Sequence, residues 1–344
     1  MENLTTKVNP NEVTYTPAQV AQQTVRTIDD LMKTPNAGVR IGLSAIDSDM
    51  LPMRPGDLTV ILGRPSNFKT GFGLFLAMNE TKEIMARKSD DEIVIYVTLE
   101  ELIEEHGIKD LCSHAGLEPK LVARGILDDT QYERIKKASI ERGKIPLWLM
   151  GHSMWNKNFH KSLRVSDINA SAKSIEEKYK KKIKLIVLDY LQLIEAEAMK
   201  SERRLQVADA VIQAKMMAKN LGCPVVLLAQ AKRDVDLRDF RLPSMGDGGE
   251  TSSIEHAADK IMSVWMTKNG VNKGDNVPFV SGIVSDFNTL LIGMPKQRKG
   301  ISQKIYSAEV DFTTGMIVNC ADVTDKMKKK KKETEATNVN VYRG

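Results

Sequence analysis

The sequence predicts an α/β fold, with a mostly parallel, twisted sheet and helices on both of its faces. Three observations lead there. Four short runs, Leu58 to Leu62, Glu92 to Leu99, Leu185 to Leu193 and Pro224 to Ala229, are rich in Val, Ile and Leu with little polar alternation. Strands buried on both faces of a parallel sheet read this way. Helix-like stretches separate the runs, among them Ser166 to Tyr179 and Ser201 to Leu221, as crossover connections require. The first run also leads through a glycine and a short loop into a further helix-like stretch, Gly71 to Met85.

The elements divide the chain in three. Residues 1–37 read as a polar, flexible start followed by an amphipathic helix, because Val20, Val25, Ile28, Leu31 and Met32 recur at helical spacing from Pro17 onward. A lone short helix is marginal in water, so it is expected to dock on its own domain or on a neighbouring subunit. Residues 38–322 hold the alternating strands and helices, with Lys260 to Met266, Thr289 to Met294 and Gly315 to Val318 expected to extend the sheet. Residues 323–344 form a basic tail, with Lys326 and Lys328 to Lys332 as a charge run. Such runs are usually solvated and disordered.

Composition narrows the class. The chain has 344 residues, 42% hydrophobic and 28% charged, with a net charge of +5, which suits a soluble globular protein and leaves a polyanionic partner open. No apolar run approaches the roughly 20 residues that cross a bilayer. No signal-peptide pattern opens the chain, and the cytoplasm is the expected location. Cys112, Cys223 and Cys320 lie far apart, which argues against a zinc site or a disulfide framework.

The strongest local signal is Gly63-Arg64-Pro65-Ser66-Asn67-Phe68-Lys69-Thr70. It follows a strand and opens a helix, the context of a Walker A phosphate loop. Its backbone N–H groups and the helix N-terminus cradle phosphate oxygens. Lys69 reaches the terminal phosphates of ATP, and Thr70 holds Mg²⁺. The pattern departs at Phe68, where a glycine normally precedes the lysine. A loop needing positive φ there would strain a phenylalanine. Gly71 and Gly73 follow closely and leave room for the ring, so a settled loop with negative φ is expected.

Further candidates stand at strand ends, where ligands bind in α/β sheets. Asp189 closes an apolar run and suits a Mg²⁺-holding carboxylate. Glu100 and Glu101 follow another run, and either can deprotonate an attacking water. Gln230 ends a third run and can sense a γ-phosphate without competing for metal. Lys296 and Arg298, at i and i+2 on extended chain, point to one side and can stabilise charge on a phosphate supplied by a second subunit.

Taken in order, these stretches resemble the DnaB-type replicative helicases, whose motor is a RecA-like P-loop ATPase. The resemblance runs from about Val39 to Asn319. IGLSAIDSDMLPMRPGDLTVILGRPSNFKT is similar to the family's approach to Walker A, VIYVTLEE to its motif 1a, and LIVLDYLQLI to its Walker B. GCPVVLLAQAKRDVD and LPSMGDGGETSSIEHAAD are similar to motif 3, and MPKQRKG to motif 4. The resemblance singles out Glu100 as the base, Gln230 as the sensor, and Lys296 and Arg298 as groups acting in trans. It makes Asp247, Gly248, Gly249, Glu250, Thr251 and Ser252 the loop facing DNA, although Gly249 stands where the family has an arginine.

What the resemblance implies is an ATP- and Mg²⁺-dependent helicase or translocase on single-stranded DNA, working in replication as a homo-oligomeric, hexameric ring. A primase or a helicase loader is the expected protein partner, and a phage or mobile element the expected source. The family's N-terminal domain is not represented ahead of the motor. The helix near residues 17–32 reads as the family's linker helix, which packs on an adjacent subunit. Two other readings keep the fold. One is a nucleotide-binding accessory protein with a weakened Walker A loop, and the other a RecA- or KaiC-like ATPase with a partner other than DNA.

Overall fold

The computed structural model describes residues 14–34, 37–156, 163–196, 202–248 and 252–327. The expected flexible start, Gly249 to Thr251 of the DNA loop, and the lysine run 328–332 lie outside the described residues. Contacts divide the chain into a unit Met1–Gly38 and a unit Val39–Gly344.

The first unit holds helix α1 (Pro17–Lys33). Thr16 starts it with a capping box. The Gln19 N–H donates to Thr16 Oγ1 at 3.3 Å, and the Thr16 N–H to Gln19 Oε1 at 2.8 Å. Pro17 takes the first turn, where its missing N–H costs nothing. No residue of α1 is buried, and Val20, Val25, Ile28 and Met32 are all exposed.

The second unit begins with the short helix α2 (Ser44–Asp47) and strand β1 (Leu58–Gly63), followed by α3 (Lys69–Ala86), β2 (Glu92–Thr98), α4 (Ile103–Ala115), α5 (Pro119–Ala123) and α6 (Asp129–Arg142). Then come β3 (Leu147–Gly151), α7 (Val165–Tyr179), β4 (Lys182–Asp189), α8 (Arg203–Leu221) and β5 (Val225–Gln230). A short helix, α9 (Ser253–Ala257), precedes β6 (Lys260–Met266), β7 (Thr289–Gln297), β8 (Lys304–Asp311) and β9 (Met316–Asp322). The nine strands form one sheet in the order β3-β2-β4-β5-β1-β6-β7-β8-β9. Pairing is parallel from β3 to β6 and antiparallel from β6 to β9.

The sheet is covered on both faces. Phe72, Phe75, Leu76 and Ile84 of α3 bury against one side. Ile168 and Ala172 of α7, with Val211, Ala214 and Met217 of α8, bury against the other. Each large side chain so buried contributes roughly 1.5–3 kcal/mol. This packing fixes the helices relative to the strand ends and therefore fixes the site. One run is shorter than its sequence pattern implies. The apolar stretch expected to reach Leu193 leaves the sheet at Asp189, and Leu191–Leu193 form a single 3₁₀ turn.

Candidate nucleotide site

The parallel register brings four strand ends together. Gly63 lies beside Gln230, and Thr98 beside Asp189, all at carboxyl ends. The loop between β1 and α3 closes this edge. It departs from the sequence expectation, because Phe68 has φ 65° and ψ 23°. The tight turn from strand to helix imposes the left-handed conformation whatever residue occupies it, and room for the ring does not change that demand. The ring itself packs as foreseen, over Gly71, where any Cβ would collide with it. Ser66 is also left-handed, at φ 62°.

Side-chain anchors hold this strained loop. Asn67 is buried, and its Oδ1 accepts from the Met266 N–H at 3.0 Å and from Asn269 Nδ2 at 3.0 Å. Asn269 also donates to the Ser66 carbonyl at 2.9 Å. Arg64 Nε donates to Asp236 at 2.7 Å, and its NH1 to the Ala231 carbonyl at 2.8 Å, which ties the loop to the chain leaving β5. The loop is thereby anchored by contacts within the protein itself. The Lys69 stem lies over Gly63, where a Cβ would come within 2.7 Å of Lys69 Cγ. Its ammonium donates to the Arg64 carbonyl at 3.3 Å. Burial holds the Lys69 pKa below its ordinary value against the opposing pull of Asp189 and Glu100.

Asp189 is 4% exposed. Tyr96, inside β2, donates to Asp189 Oδ2 at 2.8 Å. Burial raises the Asp189 pKa, and bonds from Tyr96 and Thr70 only partly offset it. Asp189 Oδ1 is buried with no hydrogen-bond partner among the described residues. A buried carboxylate with one oxygen unpartnered, close to the Thr70 hydroxyl at a phosphate loop, is a hard-oxygen set that fits Mg²⁺. Pro65, Ser66, Phe68, Lys69, Thr70, Gly71, Glu100, Glu101, Tyr190 and Gln230 line an open cleft of about 430 Å³.

The two glutamates differ. Glu101 is engaged by the Lys109 ammonium. The Glu100 carboxylate is exposed and accepts no hydrogen bond among the described residues, while its charge acts on both Lys69 and Asp189. Gln230 is positioned by Gln192, whose Oε1 accepts from the Gln230 N–H at 3.1 Å and whose Nε2 donates to its carbonyl at 3.3 Å. The Gln230 side chain is left to the cleft.

Lys296 and Arg298 stand elsewhere. Lys296 pairs with Ile261, and β6 starts beside Thr59, so both cations sit at the amino-terminal edge of β1, opposite the cleft. The Lys296 ammonium donates to the carbonyls of Glu255 and, at 2.8 Å, Ala258. Arg298 donates to Asp259 at 3.1 Å and to the His256 carbonyl at 3.3 Å.

The expected DNA loop is only partly as read from sequence. The Asp247 carboxylate is buried and turned inward, accepting from Arg238 NH1 and NH2 at 2.7 Å each. It also accepts from the Ser244 N–H and hydroxyl at 2.8 and 2.7 Å. Burial pushes its pKa up, but the bonds from Arg238 and Ser244 outweigh this and hold it at about 2. Its side chain staples the loop's base and is not available to line a channel. Gly248 packs on Ile254, and Ser252 is exposed at the start of α9.

Residues 38–316 match the family model described as the DnaB-like helicase C terminal domain. The chain belongs to this family. The replicative DNA helicase DnaB of Rickettsia bellii (strain RML369-C) is 27% identical over 262 residues, covering 74% of this chain and 51% of that protein. The same-named protein of Buchnera aphidicola subsp. Schizaphis graminum is 28% identical over 250 residues, covering 72% and 51%. The chain thus spans about half the length of the curated relatives it matches. Among solved structures, one described as an ATPase domain superposes with TM-score 0.71 at 20% identity, covering 88% of this chain and 99% of that one. A DnaB-like replicative helicase, described with its interactions with primase, gives 0.69 at 20% identity, covering 86% and 66%. Both are likenesses of fold, and they bear out the RecA-like α/β architecture expected of a DnaB-type domain.

Within the DnaB-like frame, sequence reasoning passed over three residues that organise the site, Tyr96, Gln192 and Asn269, and read Asn67 as part of the phosphate loop without seeing it as the loop's anchor. Tyr96 is the one hydroxyl-bearing residue within the otherwise apolar run Ile93 to Val97, and that contrast was a usable signal. Gln192 sits in the stretch that resembles Walker B, three residues after Asp189. Asn67 and Asn269 act across a sequence separation of 202 residues, and nothing local announces the pair.

Proposed function

We propose that this chain is an ATP-driven helicase or translocase on single-stranded DNA, acting in replication as a ring of identical subunits. The observation that carries the reading is the convergence on one cleft of Lys69, Thr70, Gln230 and a Glu100 that accepts no hydrogen bond among the described residues, with the half-satisfied Asp189 buried beneath it at the end of β4. Nothing in the fold needs these groups together. Backbone N–H groups of residues 64–70 and the start of α3 hold the β- and γ-phosphates. Lys69 exchanges the Arg64 carbonyl for phosphate oxygen. Thr70 and Asp189 hold Mg²⁺, which supplies neutralisation of charge on the phosphate oxygens.

Glu100 orients water for in-line attack on the γ-phosphorus and takes its proton. The bond from the γ-phosphorus to the β,γ-bridging oxygen breaks, leaving ADP and phosphate. Gln230, held by Gln192, reports on the γ-phosphate. Lys296 and Arg298 face away from this cleft and complete a neighbour's site. Gly248 to Ser252, with Asp247 as their inward staple, carry the contact to DNA. α1, exposed along its apolar positions, packs on an adjacent subunit. A primase is a fitting partner, because the similar DnaB-like helicase is described with one.

ATP turnover measured with and without single-stranded DNA, together with strand displacement from a forked duplex, tests this. Stimulated turnover and displacement are expected. Turnover indifferent to DNA would favour a RecA- or KaiC-like ATPase with another partner, and nucleotide binding without turnover an accessory protein.

A further inference from the structure

Strand β2 buries a hydroxyl where a phenylalanine would fill the same space. Tyr96 is fully buried on the α3 face of the sheet, in one cluster with Phe72, Leu76 and Val187. Its register partner on β4 is Val187, and Asp189 lies further along on the same face. Such a diagonal, one strand across and two residues along, spans roughly 8 Å between backbones from the strand spacing and rise. A long side chain bridges that distance and a short one does not. The residue directly opposite Asp189 is Thr98, and its hydroxyl already donates to the Glu101 carbonyl at 2.9 Å. Tyr96 therefore reaches the carboxylate across the diagonal.

The surroundings of the hydroxyl fix its direction. His106 of α4 lays its ring against that of Tyr96, with centroids 5.0 Å apart and planes tilted by 53°. His106 is itself buried, and neither of its ring nitrogens has a hydrogen-bond partner among the described residues, so the imidazole serves there as a wall. The Tyr96 hydroxyl lies 2.8 Å from Asp189 Oδ2 and 3.5 Å from the Thr70 carbonyl. Its one proton goes to the nearer carboxylate oxygen. We infer that Tyr96 is a positioning residue for the Mg²⁺ carboxylate, holding Asp189 Oδ2 so that Oδ1 is the oxygen left for the metal or for a water it carries. A carboxylate with neither oxygen bonded is free to turn about its Cβ–Cγ bond, and one gripped by a fixed donor is not. Groups that bond a metal's ligands set its affinity by roughly tenfold to hundredfold. The inference rests on the reading of Asp189 and Thr70 above and adds what aims the carboxylate. The same strand leads on to Glu100, so β2 supplies both the proposed base and the donor that sets the metal's ligand.

The test measures ATP binding to the full chain by titration calorimetry, once with saturating Mg²⁺ and once in EDTA, for the parent, Tyr96→Phe, Asp189→Asn and Lys69→Ala. The quantity read is the gain in affinity that Mg²⁺ brings. Tyr96→Phe removes the hydroxyl and keeps the ring, so the packing against His106 survives. It should leave metal-free ATP binding within about twofold of the parent and cut the Mg²⁺-dependent gain about tenfold. Asp189→Asn should remove most of the same gain, and Lys69→Ala should weaken ATP in both conditions. An equal loss with and without Mg²⁺ in Tyr96→Phe would show a merely structural hydroxyl and overturn the inference. An unchanged gain would overturn it as well, with the nucleotide site left standing. A parent chain whose ATP binding ignores Mg²⁺ would overturn the metal assignment and this inference with it. A parent that binds no ATP in either condition would overturn the nucleotide reading itself.

Discussion

Replacing Phe68 separates two effects that the structure superimposes. The residue is left-handed at φ 65°, which costs a residue with a Cβ about 1–2 kcal/mol. Its half-buried ring packs over Gly71 and edge-on to Phe312. Removing a fully buried phenylalanine ring costs roughly 3–5 kcal/mol, so about half of that is at stake here. Phe68→Ala loses the ring and keeps the strain, and should lose about 2 kcal/mol. Phe68→Gly loses the ring and the strain, but adds roughly 0.5–1 kcal/mol of backbone entropy to the unfolded chain. The expected order is parent, then Gly, then Ala, with the last two about 0.5–1 kcal/mol apart. Urea unfolding at matched slopes should place the midpoint of Phe68→Gly roughly 0.3 M above that of Phe68→Ala. Side chains of the protein itself hold the loop in this conformation, so the strain is assigned to folding and not to binding. Tripolyphosphate affinity of Phe68→Gly should therefore stay within about threefold of the parent. An alanine variant as stable as the glycine variant would refute the strain, and a large gain in affinity for glycine would refute its confinement to folding.

Three other outcomes follow from the site. Glu100→Gln should keep ATP binding and lose turnover by about a hundredfold or more, whereas Glu101→Gln, which only releases Lys109, should keep most of it; the reverse pattern in steady-state assays would move the base by one residue. Mixing Arg298→Ala with Lys69→Ala subunits should recover activity at interfaces that pair an intact loop with an intact finger, and a monomer active at every dilution would exclude a trans role. Asp247→Asn should cost about 1–2 kcal/mol at neutral pH. The folded Asp247 pKa of about 2 lies below its ordinary 3.8, so this stabilisation is whole above pH 4 and fades as pH falls toward 2. Urea midpoints of parent and variant should converge over that window, and a constant gap would assign the loss to packing.

The central strands were legible because burial on both faces leaves an unbroken apolar run, as in β1, β4 and β5. Strand β8 was not, since Lys304–Asp311 alternates between buried and exposed positions and reads like a surface segment. β3 is short and half-covered. The strand-end residues Asp189, Glu100 and Gln230 were legible because a polar residue closing an apolar run marks the carboxyl edge. Asp247 was misread because nothing in the local sequence shows Arg238 folding back to grip its carboxylate. Phe68 was misread because side-chain room was given more weight than the backbone demand of the turn. Both errors concern geometry that only the assembled loop decides.

The sheet register also bears on why one subunit would be insufficient. Every group proposed to hold the phosphates or cleave ATP in cis stands at the carboxyl edge of β1, β2, β4 or β5, or in the loop that caps it. Lys296 and Arg298 stand at the opposite edge, beside Ile261 and Asp259. The six residues of β1 separate the two edges, roughly 17 Å over five steps of about 3.3 Å each. That is too far for either side chain to reach its own γ-phosphate, and the packed sheet between them cannot bend to close the gap. Meanwhile both cations hold carbonyls at the end of α9, the helix that follows the loop assigned to DNA. A phosphate from a neighbour competes for the same ammonium and guanidinium groups, and no single rotamer serves both. If the trans role holds, filling a neighbour's site loosens the anchor of this subunit's own DNA loop. Lys296→Met, which removes the anchor without a phosphate, should then raise amide exchange across α9 and residues 248–252. Unchanged exchange there would separate the two cations from the loop.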